Sequence, residues 1–329
     1  MSKRWVAALA VGVMATVAAV APAAAQMFPT RPVTVVVPFA AGGPTDVMAR
    51  ILGQRMSRTL GQSVVVENVT GAGGTIGVTR VSRSPADGYT LLVGHLGTQV
   101  ANMALYRTVT YDADRDFEPI GTIGTNPQIL VVRRTLEATT YADFITWLRA
   151  NRERASFGSA GVGSMAHVAA ILFFSQVTGT GGQHIPYRGT GPAMNDLVAG
   201  QFDFMFDQSV NAVPQIQAGT IKPLAITTAR RFAVVPDVPT FAEVGLPVFE
   251  LGVWNSLFAP RNTPQPVLER LHAAYLEAMA DEAVSKRLAD LGADVPTPDQ
   301  RTREALRQRV RADMERWIPI IRAAGATVE

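Results

Sequence analysis

Val33-Thr34-Val35-Val36-Val37-Pro38-Phe39-Ala40-Ala41-Gly42-Gly43-Pro44-Thr45-Asp46 is an apolar, β-branched run that breaks into a glycine pair and then a proline. Its first six residues read as a buried strand, and Phe39 to Asp46 as the turn that opens a helix. Pro44 suits the first helical position, where its missing N–H costs nothing. A helix opening leaves backbone N–H groups without intrahelical partners and carries the positive end of the helix dipole, so such a turn aims free donors at an anion. The device recurs further on. Strand Ala155-Ser156-Phe157-Gly158 runs into Ser159-Ala160-Gly161-Val162-Gly163-Ser164, and a helical stretch follows from Met165.

Working outward, Val47, Met48, Ile51, Leu52, Met56 and Leu60 recur at helical spacing and Gly61 is placed to end that helix. Ser63 to Glu67 reads as a strand, Gly71 to Gly74 as a turn, Thr75 to Val81 as a short helix and Tyr89 to Val93 as a third strand. The order β, α, β, α, β favours a parallel sheet with helices on both faces. A second unit begins with strand Ile129 to Val132 and a helix from about Thr140, where Thr140 and Asp143 form a capping box. It continues with a strand near Phe157, a helix from Met165 to Val177, a strand at Ile185 to Tyr187, a helix from Pro192 to Ala199, and strands Phe202 to Phe206 and Lys222 to Thr227. From Trp254 to Ala259 comes one more strand, after which the chain is helical to its end, with starts at Thr263-Pro264 and Thr297-Pro298. A tail with one strand cannot build its own sheet and is assigned to the first unit. The fold class is therefore α/β in two lobes, each a mainly parallel sheet flanked by helices: residues 26–128 with 252–329, and residues 129–251.

Residues 1–25 have a basic start at Lys3 and Arg4, an apolar stretch from Trp5 to Val20, and the small residues Ala23 and Ala25 before Gln26. That is the order of a cleaved secretory signal, which places the mature chain in the periplasm. Removing it leaves 28 basic residues against 27 acidic ones, a formal charge of +1 in place of +3. No lysine or arginine cluster with interleaved aromatics appears, so nucleic acid is not an expected partner. With no cysteine, the exported chain has neither disulfide nor thiol nucleophile and must hold its fold by core burial.

Polar and small residues gather where strands hand over to helices. The first turn contributes Phe39, Ala40, Ala41, Gly42 and Gly43, which make either an anion site or merely a tight turn; Asp46, in the first helical turn, reads as a structural cap of that turn. The serine turn contributes Ser159, Ala160, Gly163 and Ser164, with His167 one turn in; Ser164 and His167 either face a ligand or make local structural bonds. Tyr187 and Arg188 follow a strand and precede a helix, where ligands of open α/β sheets sit, and Arg188 is either a carboxylate partner or a solvated surface residue. Asp207, closing an apolar strand, is either an acceptor for a ligand amine or hydroxyl or a turn residue. Gly94, His95 and Thr98 form a third wall.

Catalytic patterns are missing. Neither Ser159 nor Ser164 sits in Gly-x-Ser-x-Gly, since Phe157 and Val162 stand where the first glycine belongs. Ile76 replaces the third glycine of a dinucleotide fingerprint in Gly71-Ala72-Gly73-Gly74-Thr75-Ile76-Gly77, and no Walker A lysine is present. His95, His167, His184 and His272 lack the paired spacing of a zinc helix. No catalytic residue, metal or cofactor is assigned, and an esterase built on Ser164 and His167 is disfavoured because the elbow is lacking.

With these residues in view, the chain resembles the Bug-type receptors, the periplasmic solute-binding proteins of tripartite tricarboxylate transporters. The resemblance spans Phe28 to the C-terminus. It rests on Pro38 to Asp46, Glu67-Asn68 with Gly71 to Gly74, Asp87-Gly88-Tyr89, Tyr111-Asp112 with Asp116-Phe117, Gly158 through His167, Pro186-Tyr187-Arg188-Gly189, Asp203 to Asp207, and Pro236-Asp237-Val238-Pro239-Thr240. It implies a type II periplasmic-binding fold that closes over a small organic mono- or dicarboxylate, held at Phe39 to Gly43 by main-chain N–H groups and ordered waters and at Ser159 to Ser164 from the other lobe. It further implies a non-enzymatic monomer that serves the membrane permease subunits of a tripartite transporter; a carboxylate sensor docking a signalling protein is the alternative. The chain departs from its relatives at Gly94 to Asn102 and at Val69-Thr70, where an Arg-Pro pair is common.

Overall fold

The computed structural model describes residues 28–324 except 178, 247 and 248; the expected secretory signal lies outside the described residues. Strand β1 (Val33–Val37) leads through the glycine turn into α1 (Pro44–Leu60), which ends on Gly61 in the left-handed conformation at φ 70°. β2 (Val64–Asn68), α2 (Thr75–Ser82) and β3 (Thr90–His95) follow, then a wide helical turn at Gly97–Ala101 that runs into α3 (Asn102–Leu105). β4 (Phe117–Arg133) is a single strand of 17 residues, more than four times the length of the stretch Ile129 to Val132 that the sequence marks as a strand. Its Pro119, Gly121, Gly124 and Pro127 read as breaks, but two bulges absorb the irregularity. Gly121 is needed for packing: a Cβ there would lie 2.2 Å from the ring of Tyr275.

The second unit comprises α4 (Tyr141–Ala150), β5 (Ser156–Ser159), α5 (Met165–Gln176), β6 (Gln183–Pro186), α6 (Thr190–Val198), β7 (Phe204–Gln208), α7 (Ser209–Gln217) and β8 (Ile221–Ile226). The Thr140–Asp143 capping box forms as read. α6 begins two residues before the expected Pro192, because a proline is tolerated anywhere in the first turn. α7 was not legible, since Pro214 interrupts its pattern. Strand β9 (Gly252–Pro260) returns the chain, and α8 (Gln265–Ala280), α9 (Glu282–Asp290) and α10 (Arg303–Ala323) complete it.

The strands form one continuous path, β2-β1-β3-β9-β4-β7-β5-β6, with β8 also paired to β4. Within each half three strands run parallel, β2-β1-β3 and β7-β5-β6. The antiparallel pairs all involve β4 or β9. This follows from connectivity: β4 carries the chain from one half to the other and β9 brings it back. One face of the first half is covered by α1 and α8, around Met48, Leu52, Leu271 and Tyr275. In the second half Phe144 of α4 and Phe173 of α5 pack edge-on or tilted against Phe204 and Phe206 of the sheet, and Phe206 stacks on Phe241. α5 is apolar on almost every side, as a helix enclosed by protein must be.

The crossing strands are cross-linked by Thr227. Its hydroxyl accepts from the Gln128 N–H at 2.8 Å and faces the carbonyls of Leu251 at 2.7 Å and Gln128 at 3.1 Å. Removing a buried partner leaves the other groups without a bond, at a cost of about 1 to 3 kcal/mol. T227V, which keeps the shape and loses the hydroxyl, is therefore expected to lower unfolding free energy by that amount in urea titration; an unchanged midpoint would refute this role.

Candidate functional site

Between the two halves lies a cavity lined by Phe39, Gly43, Pro44, Thr45, His95, Gln128, Ala160, Ser164, Met165, Ala166, Thr190, Asp207 and Gln208. Its construction is uniform. Gly43 is the N-cap of α1, Ser164 that of α5 and Gln208 that of α7, and Thr190 is the first residue of α6. Four helix N-termini, on helices of 17, 12, 9 and 9 residues, thus converge on one space. Each carries roughly half a positive elementary charge and unpaired N–H groups, so the cavity is built for negative charge. No arginine or lysine lines it among the described residues.

The turns differ from the expectation of free donors throughout. In the first turn the Gly42 N–H is taken by the Asp46 carboxylate at 3.0 Å, and the Ala40 N–H by the Arg188 carbonyl of the other half at 2.9 Å. In the serine turn the N–H of Gly161 goes to the Ser159 hydroxyl, that of Gly163 to His167 Nδ1 and that of Ser164 to the Gly161 carbonyl. Sharp glycine turns need such internal bonds to hold their shape. Gly43 and Ala160, with Thr45, Met165, Ala166 and Thr190 in the first helical turns, line the cavity with N–H groups that find no acceptor among the described residues.

Of the residues expected at the site, Phe39, Gly43, His95, Ala160, Ser164 and Asp207 line the cavity. Ala40, Ala41 and Gly42 form its outer rim, with Ala41 and Gly42 exposed. Gly94 lies under the Gln99 side chain, and the Thr98 hydroxyl bonds the His95 main chain. Ser159 faces inward to His184 Nε2 at 2.6 Å, and His167 stacks on His184 at 4.1 Å, so both act as supports of the serine turn. Gly163 packs against the ring of Tyr106. Tyr187 donates to Asp196 at 2.7 Å, and the Arg188 side chain is exposed, so neither side chain lines the cavity. The Ser164 hydroxyl accepts from the His167 N–H and is an N-cap; no serine–histidine side-chain pair forms there.

Residues the sequence did not flag complete the floor. Thr45 donates to Asn255 at 2.9 Å, and Asn255 and Asn126 both donate to the Gln208 amide oxygen, at 3.0 and 3.1 Å. This chain joins α1, β9, β4 and the start of α7 across both halves. Their common signal is position at a strand end or helix start, legible only once the halves are superimposed on one cleft. The Gln128 amide oxygen is buried without a partner.

The titratable members are unusual. Burial pushes the His95 imidazole down to about 4, leaving it neutral. Its Nδ1 accepts from the N–H groups of Gly97 and Thr98, which assigns the ring proton to Nε2, and the ring stacks on Phe39 at 4.9 Å. Asp207 is fully buried, and burial pushes its carboxyl up to about 7 against donors from Asn211, Thr190 and the Gln208 N–H. Asp46 is the opposite case. Burial would raise it, but the Arg50 guanidinium, the Gly42 N–H and the Asn68 amide together hold it below the ordinary carboxylate value.

The halves are in direct contact over the cavity. Tyr106 Oη donates to the Val162 carbonyl at 2.9 Å, and a Cβ on Gly189 or Gly191 would lie 2.8 Å from the Ala40 nitrogen or the Ala41 carbonyl oxygen. The room left inside the partly open cavity for the centre of a water-sized sphere is about 20 Å³. That is room for a water molecule, not for an organic acid, so entry requires the halves to part.

A lowered folded-state pKa means that Asp46 stabilises the protein above the unfolded carboxylate value and loses that contribution as pH falls through its folded value. D46N is expected to cost about 1 to 3 kcal/mol at pH 7, by loss of charge-assisted bonds. The gap should narrow below about pH 3.9, measured by urea denaturation at pH 7 and pH 3; a gap independent of pH would contradict the assignment.

Residues 48–326 match the model of the tripartite tricarboxylate transporter family receptor, TctC. The structure is similar to that of the periplasmic binding protein BugD, with a TM-score of 0.88 and 38% identity over 92% of this chain and 100% of that one. It is also similar to MatC from Rhodopseudomonas palustris, solved with bound malate, with a TM-score of 0.86 and 43% identity over 89% and 100%. A second R. palustris protein, solved with adipate, gives a TM-score of 0.86 and 34% identity over 92% and 100%. These relatives are receptors, not enzymes, and the chain belongs to the TctC family of periplasmic solute-binding receptors.

Proposed function

We propose that this receptor captures a small organic mono- or dicarboxylate between its two lobes, residues 26–128 with 252–329 and residues 129–251, and delivers it to the permease subunits of a membrane transporter. The observation that carries the reading is the convergence of four helix N-termini on a cavity without a lysine or arginine. Main-chain N–H groups at Gly43 and Ala160, the openings of α1 and α5, and His95 Nε2–H would hold the carboxylate oxygens, with waters bridging where the fit is loose. The malate and adipate seen on its relatives are acids of this class. Secretion with removal of residues 1–25, and action as a monomer, belong to the same proposal.

Binding works by population shift. Only with the lobes together do both sets of donors reach the ligand, so an acid favours the closed form, to which the Tyr106–Val162 and Ala40–Arg188 bonds also contribute. A thermal-shift and calorimetry screen of small carboxylates tests this. A true ligand at a hundredfold excess over its dissociation constant should stabilise the protein by about 2.7 kcal/mol, and failure of every acid to bind would end the reading. Y106F removes a bond of the closed form outside the cavity and is expected to weaken affinity about 2- to 10-fold, checked by calorimetry; tighter or equal binding would contradict it.

A further inference from the structure

Asp207 sits where an acid would be received, and among the described residues no lysine or arginine lines the cavity beside it. Its Oδ1 accepts from the Gln208 N–H at 2.8 Å, and its Oδ2 from the Asn211 amide. Thr190 also donates to the carboxyl. Four lone-pair positions on a carboxylate therefore meet three neutral donors, which leaves one for a proton. The group is fully buried and lines the cavity. Around it, β4 presents Gln128 and Ile129, and the tip of β3 presents His95, whose Nδ1 is committed to main-chain N–H groups. The first turn presents the Phe39 and Gly43 backbone, while its Asp46 is paired with Arg50. His167 and His184, behind the serine turn, are both shifted toward neutrality by burial, and the Arg188 side chain is exposed.

Two negative charges in a closed space of this size, with no cationic side chain between them, repel; a shared proton removes the conflict, as in paired carboxyls generally. We propose that capture of the acid is coupled to uptake of one proton by Asp207, whose carboxyl then donates a hydrogen bond to a ligand carboxylate oxygen. The proton comes from solvent as the cleft closes and returns to it on release. The Asp207 O–H bond forms at the expense of one in hydronium or the buffer acid, and no other covalent bond changes. In this closed conformation burial pushes the carboxyl up to about 7, so closure itself favours the uptake and the ligand need add only a modest further shift. The inference rests on the carboxylate reading above and names how that same site discriminates: acids are preferred over ligands that offer an ammonium or hydroxyl donor to an ionised Asp207. It also makes the receptor release more readily on an alkaline surface.

The test is calorimetry of the full-length mature receptor with malate, adipate and a panel of two- to six-carbon acids, at pH 5.5 and pH 8 in two buffers of different ionisation enthalpy. At pH 8 about one proton should be taken up per ligand bound, and at pH 5.5 almost none. Above pH 7 the affinity should fall by up to about tenfold per pH unit. D207N, a neutral isostere, should abolish the uptake and flatten the pH dependence. If D207N fails to fold, the buffer comparison on the unmodified protein decides alone. Binding at pH 8 with no proton exchange, or with proton release, would overturn this inference and leave the receptor reading intact. Absence of binding by every acid at both pH values would overturn both.

Discussion

The structure depends on helix openings, not on cationic side chains, to create positive potential. Four helices begin at the cleft, and each contributes oriented N–H groups whose cost of alignment is met by the folding of the helix itself. A rigid dipole of this kind needs no flexible side chain to be ordered on binding. It also makes weak geometric demands, since a main-chain donor can be reached directly or through water. On the function proposed above, a scaffold of this kind would serve acids of different length; two relatives were solved with malate and with adipate.

Such openings would collapse or be wasted without their supports. Asp46 clamps the first turn from behind through Gly42, Arg50 and Asn68. Ser159, His167 and His184 do the same for the serine turn, backed by the stack of Phe157 on His184 at 4.8 Å. Burial shifts both histidines toward neutrality, so His167 Nδ1 accepts from the Gly163 N–H and the two rings offer flat stacking surfaces. Polar residues that look reactive in the sequence are thus spent on shaping loops. This is the physical reason the site carries no nucleophile–base pair at Ser164 and His167.

Closure and stability are coupled through the same segments. Thr227 holds β4, β8 and the segment at Leu251 together where the chain passes between halves. At the far edge of the cleft, glycines at 73, 163, 189 and 191 let the opposing loops come within contact distance, because a side chain at any of them would strike the facing loop. The crossing strands are thus tied by side-chain bonds while the facing loops meet through glycines, an arrangement compatible with the lobe closure proposed above.

The alternation of strands and helices, the α1 boundaries at Pro44 and Gly61, and the Thr140–Asp143 cap follow from the sequence alone, because each is set by periodicity or by a cap within a few residues. The two strand–glycine–helix turns that border the cavity are legible for the same reason: strand, glycine and helix start are adjacent in the chain. What the chain could not reveal is anything decided by contact between distant segments. The full length of β4 hides behind its prolines and glycines, which only bulges and the partner strand β9 make tolerable. Gln128, Thr190 and Gln208 become cavity residues only when the halves meet. Likewise, the burial of Asp207 inside β7 and the capture of the Gly42 and Gly163 N–H groups by their own neighbours are tertiary facts. Local patterns fix where helices begin; which of those beginnings face one another, and which of their donors stay free, is settled by packing.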